Sequence, residues 1–391
     1  MQSKDLRRLN KTVNIEQLRQ SIDSNVISGS APPGIFVGRF GYPKVYVGPM
    51  SPNFYGDTEI LDTPEQWYGK SIDQIVDYRH SLVRGNKIIK VTDASSGGNF
   101  IEKIQELSMA SKPVDLELTL TTKPNNRVTF NENSQPFGPS APLDSMITPN
   151  ISVDKRIEKS YYDRDLKAVD GIVNLYDHGV LVTKIQKAFS TGSIGIGKNR
   201  KMVPTRWSIT AVDDTISKSL IKTIKQYPTI DEYRVYELKH LDNIYVTILL
   251  PVPWKFEWIE AWFPKTTWNQ WGSSPYIIGD YEHYNGRKTY AVVGGCYYST
   301  RLATAEALKN EKRQASAILL REIHPGYVLP VGVWNVRESI RQQLLTKPNK
   351  FDTLSKALQF AFSKLTVNSK HWTSNSTLLK EALYQKLITD F

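Results

Sequence analysis

The sequence predicts an α+β fold, in which a mixed α/β body is followed by a basic, helical C-terminal region. Segments with strand-like alternation and segments with helical spacing follow one another irregularly, without an internal repeat. Apolar residues make up 40% of the 391 residues and charged residues 23%, which is typical of a globular protein. From Arg341 onward the chain is predicted to be helical and carries eight Lys or Arg against three Asp or Glu.

The first half of the chain alternates between predicted helices and strands. Gly and Pro separate them, because these residues favour turns and end helices. Ser71 is suited to cap a helix, and apolar residues at every second position mark a strand that starts near Val114. The predicted elements are, in order, a helical arm over residues 1–30, two strands within 35–49 joined by a Gly-Tyr-Pro turn, helices over 71–83 and 98–111, a strand over 113–121 and a long loop near 123–150.

The second half is richer in aromatic residues. Five of the nine tryptophans lie between Trp254 and Trp271, which either build a core or offer stacking surfaces. A core is favoured, because aliphatic residues share the segment. The predicted elements are mixed helix and strand over 161–190, strands over 207–212, 233–239, 244–250 and 291–298, helices over 214–227 and 300–322, and a helix that Asn335 starts.

The net charge of +11 favours polyanionic partners such as DNA, RNA or an acidic protein surface. No stretch approaches 18 consecutive apolar residues, so no transmembrane helix is predicted. The N-terminal residues are polar and lack the apolar core of a signal peptide. We therefore expect a cytoplasmic, nucleoid-associated protein that does not bind membranes.

The single cysteine, Cys296, excludes an intrachain disulfide and any zinc site made of several cysteines. It lies in an apolar stretch and is expected to be a packed thiol. The six histidines are scattered and have no metal-binding spacing. The sequence therefore predicts no metal and no cofactor.

A glycine-rich segment over residues 192–199 has nearly the spacing of a nucleotide-triphosphate loop. However, Asn199 stands where Ser or Thr would bind magnesium. Between Thr183 and Arg206 there are six Lys or Arg and no acid, so a loop that contacts phosphate is a better interpretation. A solvated basic loop is the equal alternative. The candidate anion-binding residues here are Lys198, Arg200, Lys201 and Arg206.

A second cluster of basic and aromatic residues surrounds the Gly-Tyr-Pro turn. Arg39 and Lys44 lie on either side of the turn. Tyr42 is in the turn, Tyr46 follows it, and Arg84 comes later in the chain. Arginine forks onto phosphate and tyrosine stacks on bases, so these residues are further candidates for nucleic-acid or anion binding. A purely structural turn is the alternative.

Three carboxylates are candidates for chemistry. Asp213 and Asp214 come shortly after Arg206, and Asp57 follows the first predicted hairpin. They would serve a metal-dependent nuclease or a nucleotide-processing enzyme. Solvated carboxylates are the alternative, and no nucleophile with an identifiable base is present.

The last seven residues, 385–391, resemble the short motif that docks proteins on sliding clamps (the PCNA-interacting motif). Gln385 is followed by Ile388 and then by Phe391, so one helical turn places the two apolar side chains on one side. Ile388 and Phe391 would fill an apolar pocket of the clamp, and Gln385 would hydrogen-bond beside it. The usual motif has two adjacent aromatic residues, whereas this chain has one. An ordinary amphipathic helix is the alternative.

Several segments together resemble one family, the archaeal Nre proteins of DNA repair, and specifically its NreA branch. The long Val-Pro-Thr-Arg-Trp-Ser run is the most specific of them. The matching segments are 36–43, 47–49, 56–58, 82–85, 203–213, 330–334 with Arg337 and Glu338, Trp372 and the C-terminal motif.

The resemblance implies a role in archaeal DNA repair, docking on the sliding clamp through the C-terminus and cooperation with excision-repair proteins. Family members often carry a cysteine cluster near the N-terminus that looks zinc-binding. This chain has none there, so no zinc is predicted. The resemblance implies a pathway and a partner but no reaction.

The predicted organisation is a helical arm over 1–30, a body over 31–335, a helical region over 336–384 and a clamp-binding motif over 385–391. Three functions stay open at this stage. The first is a repair factor that docks on the clamp and contacts DNA through basic loops. The second is the metal-dependent enzyme, and the third is a non-catalytic protein adaptor.

Overall fold

Two six-stranded mixed sheets organise the fold, one in each of the two units that the chain forms. The computed structural model describes residues 24–125 and 136–384. The division between the units lies between Ile216 and Ser217. The abundance of both helices and strands confirms the predicted α+β class. The units differ from the predicted division into a body over 31–335 and a helical region over 336–384.

The sheet of the first unit has the strand order β1-β5-β6-β4-β3-β2, and all neighbours are antiparallel except β4 and β6. Its strands are β1 (Val26–Ala31), β2 (Ile35–Val37), β3 (Lys44–Ser51), β4 (Val83–Lys90), β5 (Val114–Leu120) and β6 (Ser140–Ile147). The helices are α1 (Ile72–His80), α2 (Asp93–Ser96), α3 (Asn99–Met109), α4 (Lys155–Tyr162), α5 (Ala168–Asp177), α6 (Val182–Ser190) and α7 (Thr205–Ile224), the last of which runs across the division.

Apolar periodicity builds the core of the first unit. The apolar residues at every second position of β5, from Val114 to Leu120, are buried. Helix α3 contributes buried residues three positions apart to the same core: Ile101, Ile104 and Leu107. The predicted strand over 113–121 and the predicted helix over 98–111 are therefore confirmed.

Local signals also set boundaries as predicted. Helix α1 begins after Ser71, whose hydroxyl accepts a hydrogen bond from the Gln74 amide at 3.2 Å. The Gln74 side chain in turn accepts the Ser71 amide at 3.0 Å, which completes a capping box. The two predicted strands around the Gly-Tyr-Pro turn are β2 and β3, which pair antiparallel.

Two predictions near loops need correction. The end of the predicted helical arm is strand β1, which pairs with β5 from Val26 to Ala31, and residues 1–23 lie outside the described part. The predicted loop near 123–150 contains strand β6, which pairs with both β5 and β4. Pairing with neighbouring strands thus overrides the local signals that predict a helical arm and a loop.

The predicted strand over 207–212 was wrong, because this segment is the first part of helix α7. Pro204 precedes the helix, and its carbonyl accepts the amides of Trp207 at 2.8 Å and Ser208 at 2.9 Å. The buried positions Ile209, Val212 and Ile216 repeat every three or four residues. This helical period is hidden in a short window by neighbouring apolar residues.

The sheet of the second unit has the order β10-β9-β11-β8-β7-β12, with only β9 and β11 parallel. Its strands are β7 (Tyr233–His240), β8 (Asn243–Leu250), β9 (Lys255–Trp262), β10 (Tyr276–Glu282), β11 (Ser316–Ile323) and β12 (Asn349–Phe351). Its helices are α8 (Gly295–Glu311), α9 (Trp334–Leu345), α10 (Leu354–Ser363), α11 (Ser369–Asn375) and α12 (Thr377–Tyr384).

Helices cover both faces of this second sheet. On one face, Val246 and Ile248 of β8 pack in a core that includes residues of α10, α11 and α12. On the other face, the Thr247 hydroxyl donates to the Gln343 side chain of α9 at 2.6 Å. The predicted C-terminal helices are therefore part of this unit, with the short strand β12 between them.

Two further predictions in the second unit were wrong. Residues 291–298, predicted as a strand around Cys296, form a turn and the start of α8. The predicted helix over 300–322 is two elements, because α8 ends at Glu311 and Lys312 adopts a left-handed conformation. Strand β11 follows, and all eight of its residues are buried between its neighbours. Long buried apolar runs do not distinguish a central strand from a helix.

The aromatic segment is divided between core and surface. Trp254, Trp258 and Trp262 of the β9 region are buried, as the favoured interpretation predicted, whereas Trp268 and Trp271 are exposed. In the described part of the chain, every helix is too short or too polar to cross a lipid bilayer.

Candidate functional site

A pocket of about 230 Å³ in the first unit brings together predicted site residues from separate parts of the sequence. It is formed by the end of β2 and the turn after it, by β4, by residue 137 and by the start of α7. Its charged and aromatic lining consists of Arg39, Arg84 and Arg206 with Phe36, Phe40 and Phe137. None of the described residues that line it is acidic.

Backbone contacts fix the elements around the pocket. The Thr205 hydroxyl, at the first position of α7, accepts the Val37 amide of β2 at 3.0 Å. The turn after β2 leads into β3. Strands β3 and β4 pair antiparallel, and Arg84 of β4 lies opposite Met50 of β3. The pocket is thus built on the sheet rather than on a loop alone.

Arg84 is the most buried of the three arginines, with 8% of its surface exposed. Its guanidinium carbon lies 4.4 Å from the centre of the Phe36 ring and 5.0 Å from that of Phe137. Its Nη2 donates to the Gly138 carbonyl at 3.5 Å. Within residues 24–125 and 136–384, its Nε has no hydrogen-bond partner and no carboxylate forms an ion pair with it. A buried cation without a counter-ion is costly unless a ligand supplies the charge.

A neighbouring buried arginine is fully paired by contrast. Arg79 forms an ion pair with Asp62, and the other carboxylate oxygen of Asp62 lies 2.8 Å from Lys187 Nζ. The Arg79 Nε also donates to the Pro136 carbonyl at 2.8 Å. Burial, together with the positive charge of Arg79, lowers the pKa of Arg84 to about 10, so Arg84 stays charged at neutral pH.

The start of helix α7 adds hydrogen-bond donors to the pocket. Trp207 and Ser208 donate their amides to the Pro204 carbonyl, whereas the amides of Thr205 and Arg206 lie before the first helical hydrogen bonds. Thr205 and Arg206 both line the pocket. The positive end of the helix dipole therefore adds to the field of the arginines.

Exposed aromatic rings lie beside the pocket. Phe40, which lines it, is 75% exposed, and the Arg39 guanidinium lies 4.9 Å from its ring centre. The rings of Tyr42 and Trp207 are in contact, with centroids 5.4 Å apart, and both are about half exposed. Large apolar rings at a basic surface are suited to stacking on bases.

The sequence predicts the three arginines and Tyr42 as site residues, but it does not predict the phenylalanines or Trp207. The predicted strand over 207–212 includes Trp207, and this prediction does not indicate that the side chain is exposed. Phe36 and Phe137 are separated by about a hundred residues in the sequence, so only the fold joins them. The Pro-Thr-Arg-Trp run, with Pro before a helix start, was the signal that could have indicated a helix N-terminus here.

The other predicted basic residues lie outside the pocket lining. Lys44 is exposed at the start of β3, and Lys198 and Lys201 are exposed on the glycine-rich segment. Arg200 corrects the prediction, because it is buried and its guanidinium donates to the carbonyls of Gly195 at 2.7 Å and Tyr161 at 2.8 Å. It therefore holds the glycine-rich segment in place instead of facing a ligand.

The three candidate carboxylates are in different environments. Asp213 is fully buried in α7 and accepts the Gln186 side chain at 2.9 Å, whereas Asp214 is half-buried and Asp57 is exposed. In the part of the chain that the structure describes, no three His, Cys, Asp or Glu side chains are grouped to hold a metal ion. Asp213 is thus accounted for as a buried hydrogen-bond partner between α6 and α7.

The C-terminal motif residues Gln385, Ile388 and Phe391 lie outside the described residues. The helix before them, α12, is held by a carboxylate from the sheet. Glu257 of β9 accepts the amides of Thr377 at 2.7 Å and Leu378 at 3.2 Å.

Comparison with known proteins identifies the family. The family model described as "Archaeal Nre, N-terminal" matches residues 6–269, and the one described as "Archaeal Nre, C-terminal" matches residues 282–391. No solved structure is similar.

Three curated relatives are similar along almost their whole length. The chain is 45% identical to "DNA repair protein NreB" of Archaeoglobus fulgidus, covering 94% of this chain and 92% of the relative. It is 37% identical to "DNA repair protein NreA" of the same organism (90% and 88% covered) and 33% identical to that of Haloferax volcanii (93% and 89% covered). These matches confirm the predicted resemblance, and the chain belongs to the archaeal Nre family.

Proposed function

We propose that this chain acts in DNA repair, that it contacts DNA through the Arg39–Arg84–Arg206 pocket and the rings beside it, and that residues 385–391 dock on the sliding clamp. The names of its relatives support the repair role. The single observation that supports DNA contact is Arg84, a buried guanidinium that pairs with no carboxylate of residues 24–125 and 136–384, in a pocket with two further arginines.

Phosphate is the ligand that best completes such a pocket. Guanidinium groups donate two parallel hydrogen bonds to phosphate oxygens, and amides at a helix start favour the same anion. Arg39 and the half-buried Arg206 are more accessible than Arg84, so a backbone phosphate would meet them first. Tyr42, Phe40 and Trp207 would then stack on unpaired bases, which favours single-stranded DNA or strand ends over an intact duplex.

Clamp docking is proposed from the sequence motif. Gln385, Ile388 and Phe391 follow directly after helix α12, which the sheet of the second unit holds through Glu257. Short peptide motifs of this kind bind by placing the apolar side chains of one helical turn in a groove of the partner. Excision-repair proteins are the further partners that the family resemblance suggests, and DNA contact would place the protein on the nucleoid.

DNA contact is tested by fluorescence anisotropy with labelled single-stranded and duplex oligonucleotides at several salt concentrations. Reversing two charges, with Arg39→Glu and Arg206→Glu together, should lower the affinity by at least about tenfold and flatten the salt dependence. The matched control is Lys112→Glu, at an exposed position before β5 that does not line the pocket. Unchanged affinity and salt dependence in the double variant would refute the proposed contact.

Clamp docking is tested by calorimetric titration into the cognate sliding clamp. A chain that lacks residues 385–391 should not bind, and Phe391→Ala should weaken binding by about 2 kcal/mol or more, as expected for a buried aromatic anchor. Circular dichroism should show the same fold in each variant. Binding that survives the truncation would exclude the motif as the docking site.

A further inference from the structure

We infer that the arginine pocket takes the terminal phosphate monoester of a DNA strand, and not a phosphodiester within the strand. This rests on the proposed DNA contact and specifies the ligand. The observation behind it is that Arg84, whose Nε has no hydrogen-bond partner and which pairs with no carboxylate among the described residues, is also the most buried of the three arginines. Only 8% of the Arg84 surface is exposed, whereas Arg39 is exposed and Arg206 half-buried.

Depth distinguishes the two kinds of phosphate. An internal phosphodiester has a sugar on each side, so it presents its two free oxygens from a continuous backbone and reaches surface cations. A terminal monoester has one ester bond and three free oxygens, so it can enter a pocket ahead of its own nucleotide. Reaching the buried Nε of Arg84, which has no hydrogen-bond partner among the described residues, requires such an entry.

Charge favours the monoester as well. Three arginines and no acid line the pocket in the described residues, and the nearby carboxylate of Asp62 already pairs with Arg79 and Lys187. A monoester carries between one and two negative charges near neutral pH, since its second pKa is about 6, whereas a diester carries one. The larger charge better compensates a site with this excess of cations.

The donors are fixed in advance. The guanidinium of Arg84 lies against Phe36 and Phe137, whose rings contact each other with centroids 4.5 Å apart. The Thr205 hydroxyl accepts the Val37 amide and can still donate its own proton to a phosphate oxygen. Such preorganised donors lose little side-chain freedom when a ligand binds.

The volume and the surroundings fit the end of a strand. A pocket of about 230 Å³ is large enough for a phosphate group but does not admit a duplex. The exposed rings of Phe40, Tyr42 and Trp207 can stack on the terminal bases outside. A free nucleotide shares the phosphate chemistry but makes fewer of these stacking contacts.

The test compares oligonucleotides of one sequence that end in a 5′-phosphate, a 3′-phosphate or hydroxyls only. In anisotropy measurements with the wild-type chain, either the 5′-phosphorylated or the 3′-phosphorylated oligonucleotide should bind at least about tenfold more tightly than the one with hydroxyl ends. A tenfold difference corresponds to one charge-assisted hydrogen bond. Arg84→Met should remove this preference, and Lys112→Met, which removes a cation outside the pocket, should retain it. Arg206→Gln should reduce the preference for the phosphorylated end. This second variant provides the test if Arg84→Met does not fold.

Competition with a nucleoside monophosphate and with inorganic phosphate identifies the source of the monoester. Both should displace the phosphorylated oligonucleotide only at concentrations at least about tenfold higher, because inorganic phosphate has no base to stack and a nucleoside monophosphate has only one. A nucleoside monophosphate that competes equally well would overturn the assignment to strand ends. Equal affinity for phosphorylated and hydroxyl ends, with salt-dependent DNA binding retained, would overturn the inference alone. Absence of any DNA binding would refute the proposed function together with it.

Discussion

At the scale of single residues, two buried arginines of the first unit are in opposite situations. Arg79 is enclosed by acceptors, namely the carboxylate of Asp62 and the Pro136 carbonyl. Arg84 has only the distant Gly138 carbonyl and two aromatic rings among the described residues. Burying a charge stabilises a fold only when partners replace the lost water, so the two arginines should contribute to stability with opposite signs.

The first prediction is that Arg84→Met stabilises the ligand-free protein. Methionine keeps much of the apolar volume between Phe36 and Phe137 and removes a charge that no carboxylate of the described residues compensates, so the free energy of unfolding should rise by about 1 kcal/mol or more. Urea denaturation monitored by tryptophan fluorescence measures this change.

Arg79→Met is the matched comparison. It breaks a buried ion pair and should lower the free energy of unfolding by about 3 kcal/mol. If Arg84→Met destabilised the chain as much as Arg79→Met does, Arg84 would have a structural role and the argument for an anion in its pocket would fail.

At the scale of elements, close contact between β3 and β4 positions Arg84. Gly48 of β3 has no side chain, and a Cβ added there would lie 1.4 Å from the backbone oxygen of Gly85 on β4. That oxygen belongs to the residue next to Arg84, so the separation of these strands determines where the guanidinium lies. Only glycine permits this approach.

The second prediction follows from this contact. Gly48→Ala should lower the free energy of unfolding by about 3 kcal/mol, since a backbone atom cannot move aside as a side chain can. Gly38→Ala is the control, because its Cβ would have its nearest neighbours at 3.4 and 3.5 Å, which is ordinary contact. Thermal denaturation of the two variants should therefore differ clearly, and similar melting temperatures would contradict the close approach.

Helix α12 is held by a carboxylate whose protonation changes near neutral pH. Glu257 of β9 accepts hydrogen bonds from the Ser376 hydroxyl and from the amides of Thr377 and Leu378. Burial nevertheless raises the pKa of Glu257 to about 7. The folded state thus binds this proton more tightly than the unfolded state, in which a Glu has a pKa of about 4.3.

The third prediction is a pH dependence of stability. Because the pKa of Glu257 is raised in the folded state, its protonation stabilises the fold. This contribution to the free energy of unfolding is complete at low pH and is lost as the pH rises from about 4 to about 7. Between pH 5 and pH 8 the loss from Glu257 should be about 2 to 3 kcal/mol. Denaturation at both pH values should show a smaller difference for Glu257→Gln than for the wild-type chain.

The control for this pH dependence is Glu237→Gln. Glu237 is an exposed carboxylate on β7 of the same sheet, where it pairs with Lys364. Because exposed ion pairs contribute little, the wild-type difference should persist in this variant. A wild-type difference that also persists in Glu257→Gln would exclude Glu257 as its source.

How much the sequence predicts depends on whether a signal is local. The Ser71 capping box and the alternation from Val114 to Leu120 lie within a few residues, and both elements were predicted correctly. Pairing of β1 with β5 joins residues about ninety positions apart, so residues 26–30 are predicted as the end of the helical arm although they belong to β1. Non-local strand pairing is not visible in a short window.

The candidate site follows the same rule. Charge and aromatic content near the Gly-Tyr-Pro turn predicted Arg39 and Arg84 as anion-binding candidates, the acid-free basic stretch over 183–206 predicted Arg206, and the fold brings these three together. The same reasoning included Arg200, whose carbonyl partners on residues 161 and 195 could not be foreseen. Composition indicates that a cation is present, but only the packing decides whether protein carbonyls already use it.

At the scale of the whole molecule, the two proposed contacts lie in different parts of the chain. The arginine pocket is in the first unit, and the proposed docking motif follows the last helix of the second unit. They share no residue, so each can be removed without changing the other. When one chain engages two sites on the same assembly, the second contact forms at a high effective concentration.

The fourth prediction is that a clamp loaded on DNA increases the affinity of this chain for that DNA by about a hundredfold or more, as expected when two contacts act together. Anisotropy with labelled DNA, with and without the loaded clamp, measures this gain. Phe391→Ala should abolish the gain and leave the affinity for free DNA unchanged. Arg39→Glu with Arg206→Glu should weaken binding to free DNA and leave the affinity for the free clamp unchanged. If Phe391→Ala weakened binding to free DNA as well, the two contacts would not be independent, and the C-terminal segment would have to take part in DNA binding itself.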